Sequence, residues 1–244
     1  MNKIKTIWKK IKGQIQALLW PEVCPFCEKV YRKGICPQCK EKLKKIEIKG
    51  FLCMKCGKPI QYKEQEFCFD CGRKEHSYDR GYSVWLHKRP ASQAIYRFKY
   101  GNQRRYGYYF GQEMGRIFQQ KLREKEIDVI IPIPLHRKRR KKRGYNQAQI
   151  LAEELGKCVG LPVENNWLCR KVYTNPQKEL GRKERGKNLN HVFQISEDFR
   201  PVKCVLLVDD IYTTGSTVDS AAEVLKNRGV FRVYFLTITI GQGY

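Results

Sequence analysis

Apolar residues recur at helical spacing from the start of the chain. Ile4, Ile7, Trp8, Ile11, Ile15, Leu18 and Leu19 share one face, lysines fill much of the rest, and Pro21 ends the segment. The pattern predicts one basic amphipathic helix over residues 1–20. Further on, it predicts a short strand over Gly81–Leu86, a helix from Pro90 through Ile95, Phe98 and Tyr100, and another near Tyr108–Leu122. The apolar, β-branched runs Asp128–Pro134 and Val205–Val208 predict buried strands. Helices are expected over Asn146–Cys158 and Gly215–Arg228, the second closed by Gly229, with a last strand at Phe231–Ile240. Strands alternating with helices imply βαβ units, hence an α/β fold with a parallel sheet.

The stretch between the first helix and the first strand follows a different logic. Eight of the eleven cysteines form four Cys-x-x-Cys pairs there: Cys24/Cys27, Cys36/Cys39, Cys53/Cys56 and Cys68/Cys71. Two thiolates three residues apart grip one tetrahedral Zn²⁺ together, and two such knuckles close a site. Four knuckles make two Cys₄ sites. Sequential pairing is the simplest arrangement, interleaved pairing the alternative, and a redox or iron–sulfur site the competing chemistry. A Cys₄ zinc site has no open position for substrate, so its role is structural. The segment between knuckles is short and polar, so its folding is expected to come from the metal, at about 10–16 kcal/mol per site. Cys158, Cys169 and Cys204 are isolated.

Composition narrows the function. In 244 residues, 49 Lys and Arg face 24 Asp and Glu, a net charge of +25. Such an excess points to a polyanion: nucleic acid, an anionic membrane surface or a phosphate-rich ligand. A hydrophobic content of 41% excludes a wholly disordered chain. No run approaches the roughly 18 uncharged apolar residues of a transmembrane helix. Lysines 3, 5, 9, 10 and 12 argue against a secretory signal. The expected location is cytoplasmic. The amphipathic helix 1–20 either docks on the protein itself or makes peripheral contact with the inner face of the membrane.

Val205-Leu-Leu-Val-Asp-Asp-Ile-Tyr-Thr-Thr-Gly-Ser-Thr217 is the most informative segment. An apolar strand delivers two carboxylates to its carboxyl end, and a loop of hydroxyls and glycine opens the next helix. Backbone N–H groups of such a loop, with the helix N-terminus, form an anion nest. Acids beside an anion nest repel it unless they serve another part of the ligand, and ribose hydroxyls fit that role. This run resembles the phosphoribosyl-pyrophosphate (PRPP) motif of type I phosphoribosyltransferases. The resemblance implies that Asp209 and Asp210 hold the ribose hydroxyls. It also implies that Thr213, Thr214, Gly215, Ser216 and Thr217 cradle the 5′-phosphate, with Mg²⁺ accompanying PRPP.

More of the chain resembles one branch of that superfamily, the ComF/ComFC competence proteins. Pro132-Ile-Pro-Leu-His136 and Arg143-Gly-Tyr-Asn-Gln147 resemble its pyrophosphate-loop region, which adds Arg143 to the PRPP set and His136 as a candidate. Lys99-Tyr100-Gly101, Gln177, Leu180, Arg185, Asn188, Leu189 and Phe193 also fit. So does the layout: a helix (1–20), a double zinc ribbon (21–76) and a phosphoribosyltransferase-like domain (77–244). The family implies a DNA-uptake factor of natural transformation that binds PRPP and single-stranded DNA, beside a competence helicase and membrane uptake machinery. A metabolic phosphoribosyltransferase acting on a small base or amine is the alternative, and a PRPP sensor without turnover a third. No base-reading segment is recognisable, which leaves turnover open and no catalytic residue assigned. The polar stretch 175–190, with Gln177, Arg182 and Arg185, is a candidate lid.

Arg137-Lys-Arg-Arg-Lys-Lys-Arg143 is seven consecutive cations, in the loop that the resemblance sets against pyrophosphate. One or two would serve a pyrophosphate. The excess makes Arg137, Lys138, Arg139, Arg140, Lys141 and Lys142 candidate contacts for a longer polyanion. Aromatics are interleaved with cations nearby, from Tyr96 to Tyr109, as sequence-tolerant single-strand binding requires. At least half of these rings are expected in the core.

Overall fold

The computed structural model describes residues 21–32, 34–171 and 192–242. The helix expected over 1–20 and the lid residues Gln177, Arg182 and Arg185 lie outside the described residues. In chain order the elements are α1 (Pro37–Lys44), β1 (Arg80–Leu86), α2 (Ala91–Tyr100), α3 (Arg104–Arg123), β2 (Val129–Pro132), α4 (Arg137–Arg143), α5 (Gln147–Val159), β3 (Leu168–Arg170), β4 (Phe193–Ile195), β5 (Cys204–Tyr212), α6 (Ser216–Lys226) and β6 (Arg232–Ile240).

Four strands form one sheet in the order β1-β6-β5-β2, with every pair parallel. β3 and β4 pair antiparallel in a separate two-stranded sheet. The pleat sorts β5 between two cores. Leu206 and Val208 face the apolar cluster built with α2, α3 and α5. Val205 and Leu207 face the cluster built with α6 and the β3–β4 pair. A parallel strand covered on both faces needs this near-continuous apolar run.

α3 and α5 pack closely because α3 carries Gly107, Gly111 and Gly115 on one face. A Cβ there would lie 2.5–2.6 Å from Ile150, Glu154 and Cys158 of α5, respectively. α3 begins at Arg104, a turn ahead of the expected start near Tyr108. The strand at Val205 runs on to Tyr212, so Asp209 and Asp210 lie within it rather than after it. α1, β3 and β4 were not anticipated, being too short for periodicity to register.

The cysteine region is less polar in its packing than its composition suggested. Phe26, Ile35, Leu43 and Ile46 are all buried in the same core as α2 and α3. Phe26 packs edge-on against Trp85 of β1 and Phe110 of α3, with ring centroids 5.4 and 5.6 Å apart. The first knuckle is thus seated on the sheet layer by apolar burial as well as by its cysteines.

Candidate functional site

The knuckles pair sequentially. Cys24, Cys27, Cys36 and Cys39 bring their sulfurs within 4.8 Å of one another, and so do Cys53, Cys56, Cys68 and Cys71. Cys27 Sγ lies 3.7 Å from Cys36 Sγ, and Cys56 Sγ lies 3.6 Å from Cys68 Sγ. A tetrahedron with Zn–S bonds of about 2.3 Å has edges of about 3.8 Å, so both donor sets fit structural zinc.

The second cluster lies beneath the loop that follows β5. Its cysteines share a core with Tyr78, Tyr212 and Phe235. Tyr212 stacks on Phe235, with ring centroids 4.7 Å apart, and shares a 2.7 Å hydrogen bond with the Tyr78 hydroxyl. Lys58, buried between these parts, donates to Asp70 Oδ2 at 2.6 Å. Gly215 adopts φ 80°, and any side chain there would strike the Tyr212 ring. Glycine at this point therefore serves both the left-handed turn and the close approach.

Beyond Tyr212, a small concavity is lined by Thr213, Gly215, Ser216, Thr217 and Val218 at the start of α6. Thr213 and Thr214 are exposed, and Thr214 Oγ1 lies 3.3 Å from Ser216 Oγ. Hydroxyls, turning backbone and a helix N-terminus therefore converge as an anion nest requires. One turn on, Asp219 clamps the end of the cysteine region. It accepts from the Ser77 N–H at 2.6 Å and from Lys74 Nζ at 2.7 Å. Burial pushes its carboxyl up, but His76, Lys74 and the Ser77 N–H outweigh that and hold it at about 2.

The paired acids part company across the pleat. Asp210 is buried and its Oδ1 meets Lys99 Nζ of α2 at 2.8 Å. Asp209 is half-buried and accepts from the Asp210 N–H at 2.8 Å. Burial and the charge of Asp210 push the Asp209 carboxyl up to about 7, against the pull of Lys99 and of Arg170 on β3. A carboxyl whose pKa is raised in this way gains from hydroxyl donors that favour its ionised form. Sequence reasoning noted Lys99 only as a family match and missed Arg170. Lys99 did leave a signal: it follows Ile95 by one helical turn, on the face that Ala91, Ala94, Ile95 and Phe98 bury.

The cationic run is a helix, α4, not the loop expected. Arg and Lys are good helix formers, the His136 ring accepts from the Lys138 N–H at 3.2 Å, and Gly144 ends the helix at φ 77°. Arg137, Lys138, Arg140, Lys141 and Lys142 are exposed, while Arg139 and Arg143 are partly covered. Arg143, the candidate PRPP contact, donates to Gln147 Oε1 at 3.0 Å and to Tyr100 Oη at 3.2 Å. Of the interleaved aromatics, Phe98 and Tyr106 are buried, whereas Tyr96, Tyr100 and Tyr108 are exposed.

Among the described residues, no helix is long and apolar enough to cross a membrane. The double zinc ribbon family model matches residues 15–72, and the phosphoribosyl transferase domain model matches residues 108–239. Competence protein F of Haemophilus influenzae is 34% identical, covering 82% of this chain and 88% of that protein. Competence protein ComFC of Bacillus subtilis is 28% identical, covering 80% of this chain and 79% of that protein. The DNA utilization protein YhgH of Salmonella typhimurium is 27% identical, covering 82% and 87%.

Proposed function

We propose, from the premise that this chain belongs to the ComF/ComFC competence protein family, that it is a DNA-uptake factor of natural transformation that binds PRPP and single-stranded DNA. The observation that carries the reading is the end of β5. Two carboxyls of unequal environment lie on the strand that leads directly into a hydroxyl-rich nest built on a left-handed glycine. In this reading Asp209 and Asp210 accept from the vicinal ribose hydroxyls, and Thr213–Thr217 donate to the 5′-phosphate. Lys99 holds Asp210 in place. Mg²⁺ bound with PRPP would neutralise charge on the pyrophosphate. The cationic helix α4 supplies contacts for phosphates of a single strand. Seven like charges in one short helix repel one another, and a polyanion relieves that cost. The architecture 1–20, 21–76 and 77–244, with a cytoplasmic location and contact with helicase and membrane uptake machinery, belongs to the same proposal.

Thermal unfolding with and without PRPP and Mg²⁺, alongside anisotropy of a labelled single strand, tests it. PRPP at 100 times its Kd should stabilise the fold by about 2.7 kcal/mol. Asp209→Asn with Asp210→Asn should abolish most of that gain and leave strand binding intact. A gain unchanged in the double variant overturns the PRPP assignment. A wild-type protein that binds no single strand at 50 mM salt overturns the DNA assignment.

A further inference from the structure

We propose that Tyr96 and Tyr100 of α2 form a base-stacking platform for single-stranded nucleic acid, an inference that rests on the DNA-binding reading above and assigns residues to it. A surface helix ordinarily turns its cations to water and its rings inward. Across residues 96–100 the order is inverted for all but Phe98. Tyr96 and Tyr100 are 65% and 60% exposed. Arg97 and Lys99 point inward, with side chains 24% and 19% exposed. Both cations are engaged there. Arg97 donates to the Phe26 carbonyl at 2.9 Å and faces Glu28 at 3.4 Å, while Lys99 pairs with Asp210. The fold thus directs the α2 charges inward and leaves two large aromatic side chains mostly in water.

These rings are held rather than loose. Their centroids are 4.9 Å apart, one helical turn between them, with the ring planes tilted by 49°. The Arg143 guanidinium sits 4.9 Å from the Tyr100 ring centre and donates to its hydroxyl, while Gln147 anchors the guanidinium from the other side. Arg143 is the last residue of α4, so the cationic helix leads onto the platform. Lys99, between the two tyrosines in sequence, turns the other way and carries the ion pair to Asp210. Cations for phosphates next to fixed rings for bases are the two parts that sequence-tolerant single-strand binding needs. A duplex keeps its bases stacked on each other and offers none to the rings.

Fluorescence anisotropy tests the platform with three probes of equal length: oligo(dT), an abasic strand and a duplex. Tyr96→Ala with Tyr100→Ala should weaken oligo(dT) binding by about fivefold or more for each ring lost. The abasic strand and the duplex should be bound equally by variant and wild type. The salt slope should not change, since the rings neutralise no phosphate. Tyr96→Phe with Tyr100→Phe keeps both rings and loses only the Tyr100 hydroxyl contact to Arg143, so its loss of oligo(dT) affinity should be far smaller than that of the alanine pair. Should the alanine pair unfold, Tyr96→Leu with Tyr100→Leu keeps the apolar bulk and removes the π faces, and the same loss is expected. Unchanged oligo(dT) binding, or an equal loss on the abasic strand, overturns the platform while leaving α4 as the DNA contact. If wild-type protein binds no oligo(dT), the DNA reading itself falls and the platform with it.

Discussion

Lys99 on α2 and Asp210 on β5 form a 2.8 Å ion pair, with both side chains largely removed from water. It joins the helix that seats the first cysteine knuckle, through Arg97 and Phe26, to the strand that carries the ribosyl acids. Removing one partner strands the other charge. Lys99→Met should therefore cost about 3–5 kcal/mol in urea unfolding. Lys99→Met with Asp210→Asn should cost clearly less than the sum of the two single changes. Strict additivity in that double-mutant cycle would contradict a coupled buried pair.

The Asp209 carboxyl, raised to about 7, makes ligand binding depend on pH. A raised carboxyl binds its proton more tightly folded than unfolded. Its contribution to stability is therefore greatest below about pH 4 and is lost as pH rises through 7. PRPP donors need the ionised form, so affinity should rise as pH goes from 6 to 8. Asp209→Asn should remove that part of the pH profile in calorimetric titrations. A wild-type profile superimposable on that of Asp209→Asn would refute the assignment, because the ligand's own phosphate ionisation is common to both.

Asp219 carries the opposite sign. Its carboxyl, held at about 2, contributes stability that is present above about pH 4 and lost as pH falls toward 2. The contribution is about 2 kcal/mol. Asp219→Asn should lower the melting temperature at pH 7, and the difference from wild type should shrink below pH 3. A constant difference across that range would locate the effect elsewhere.

Elemental analysis should find two zinc ions per chain, with about one lost in Cys24→Ser and about one in Cys53→Ser. The clusters share cores with the sheet, so the loss should extend beyond the ribbon. Cys53→Ser should also weaken PRPP binding, because its cluster underlies Tyr212 and Gly215. A stoichiometry of one, or an iron–sulfur absorbance, would end the two-zinc account.

Salt titration isolates α4. If three or four of its cations neutralise phosphates of a single strand, they contribute about −2 to −3 to the log–log slope, at roughly −0.7 per phosphate. Replacing Lys138, Arg139, Lys141 and Lys142 by Ala should flatten the slope by about that amount. Asp209→Asn should leave it unchanged. An unaltered slope in the four-site variant would move the phosphate track off α4.

Chemistry confined to a few neighbouring residues was legible in the sequence alone. The Cys-x-x-Cys knuckles, the β-branched runs of β2 and β5 and the hydroxyl loop before α6 each depend on spacings of two to five positions, which side-chain geometry dictates locally. The helical state of α4 was also written there, in the propensity of Arg and Lys and in its Gly144 terminus. The tertiary structure decided what pairs across distance. No local rule sets Lys99 against Asp210, Tyr78 against Tyr212 or the Ser77 N–H against Asp219. Those contacts depend on which faces of the sheet the helices cover, and that is set by the summed burial of both cores. The same packing buries Phe98 while it leaves Tyr96 and Tyr100 in water. Within these five consecutive residues of alternating ring and charge, helical spacing to Ile95 marks Lys99 as inward, but nothing local marks Arg97 as inward or Tyr96 and Tyr100 as outward. That choice was made by Asp210 and the Phe26 carbonyl, which draw Lys99 and Arg97 inward.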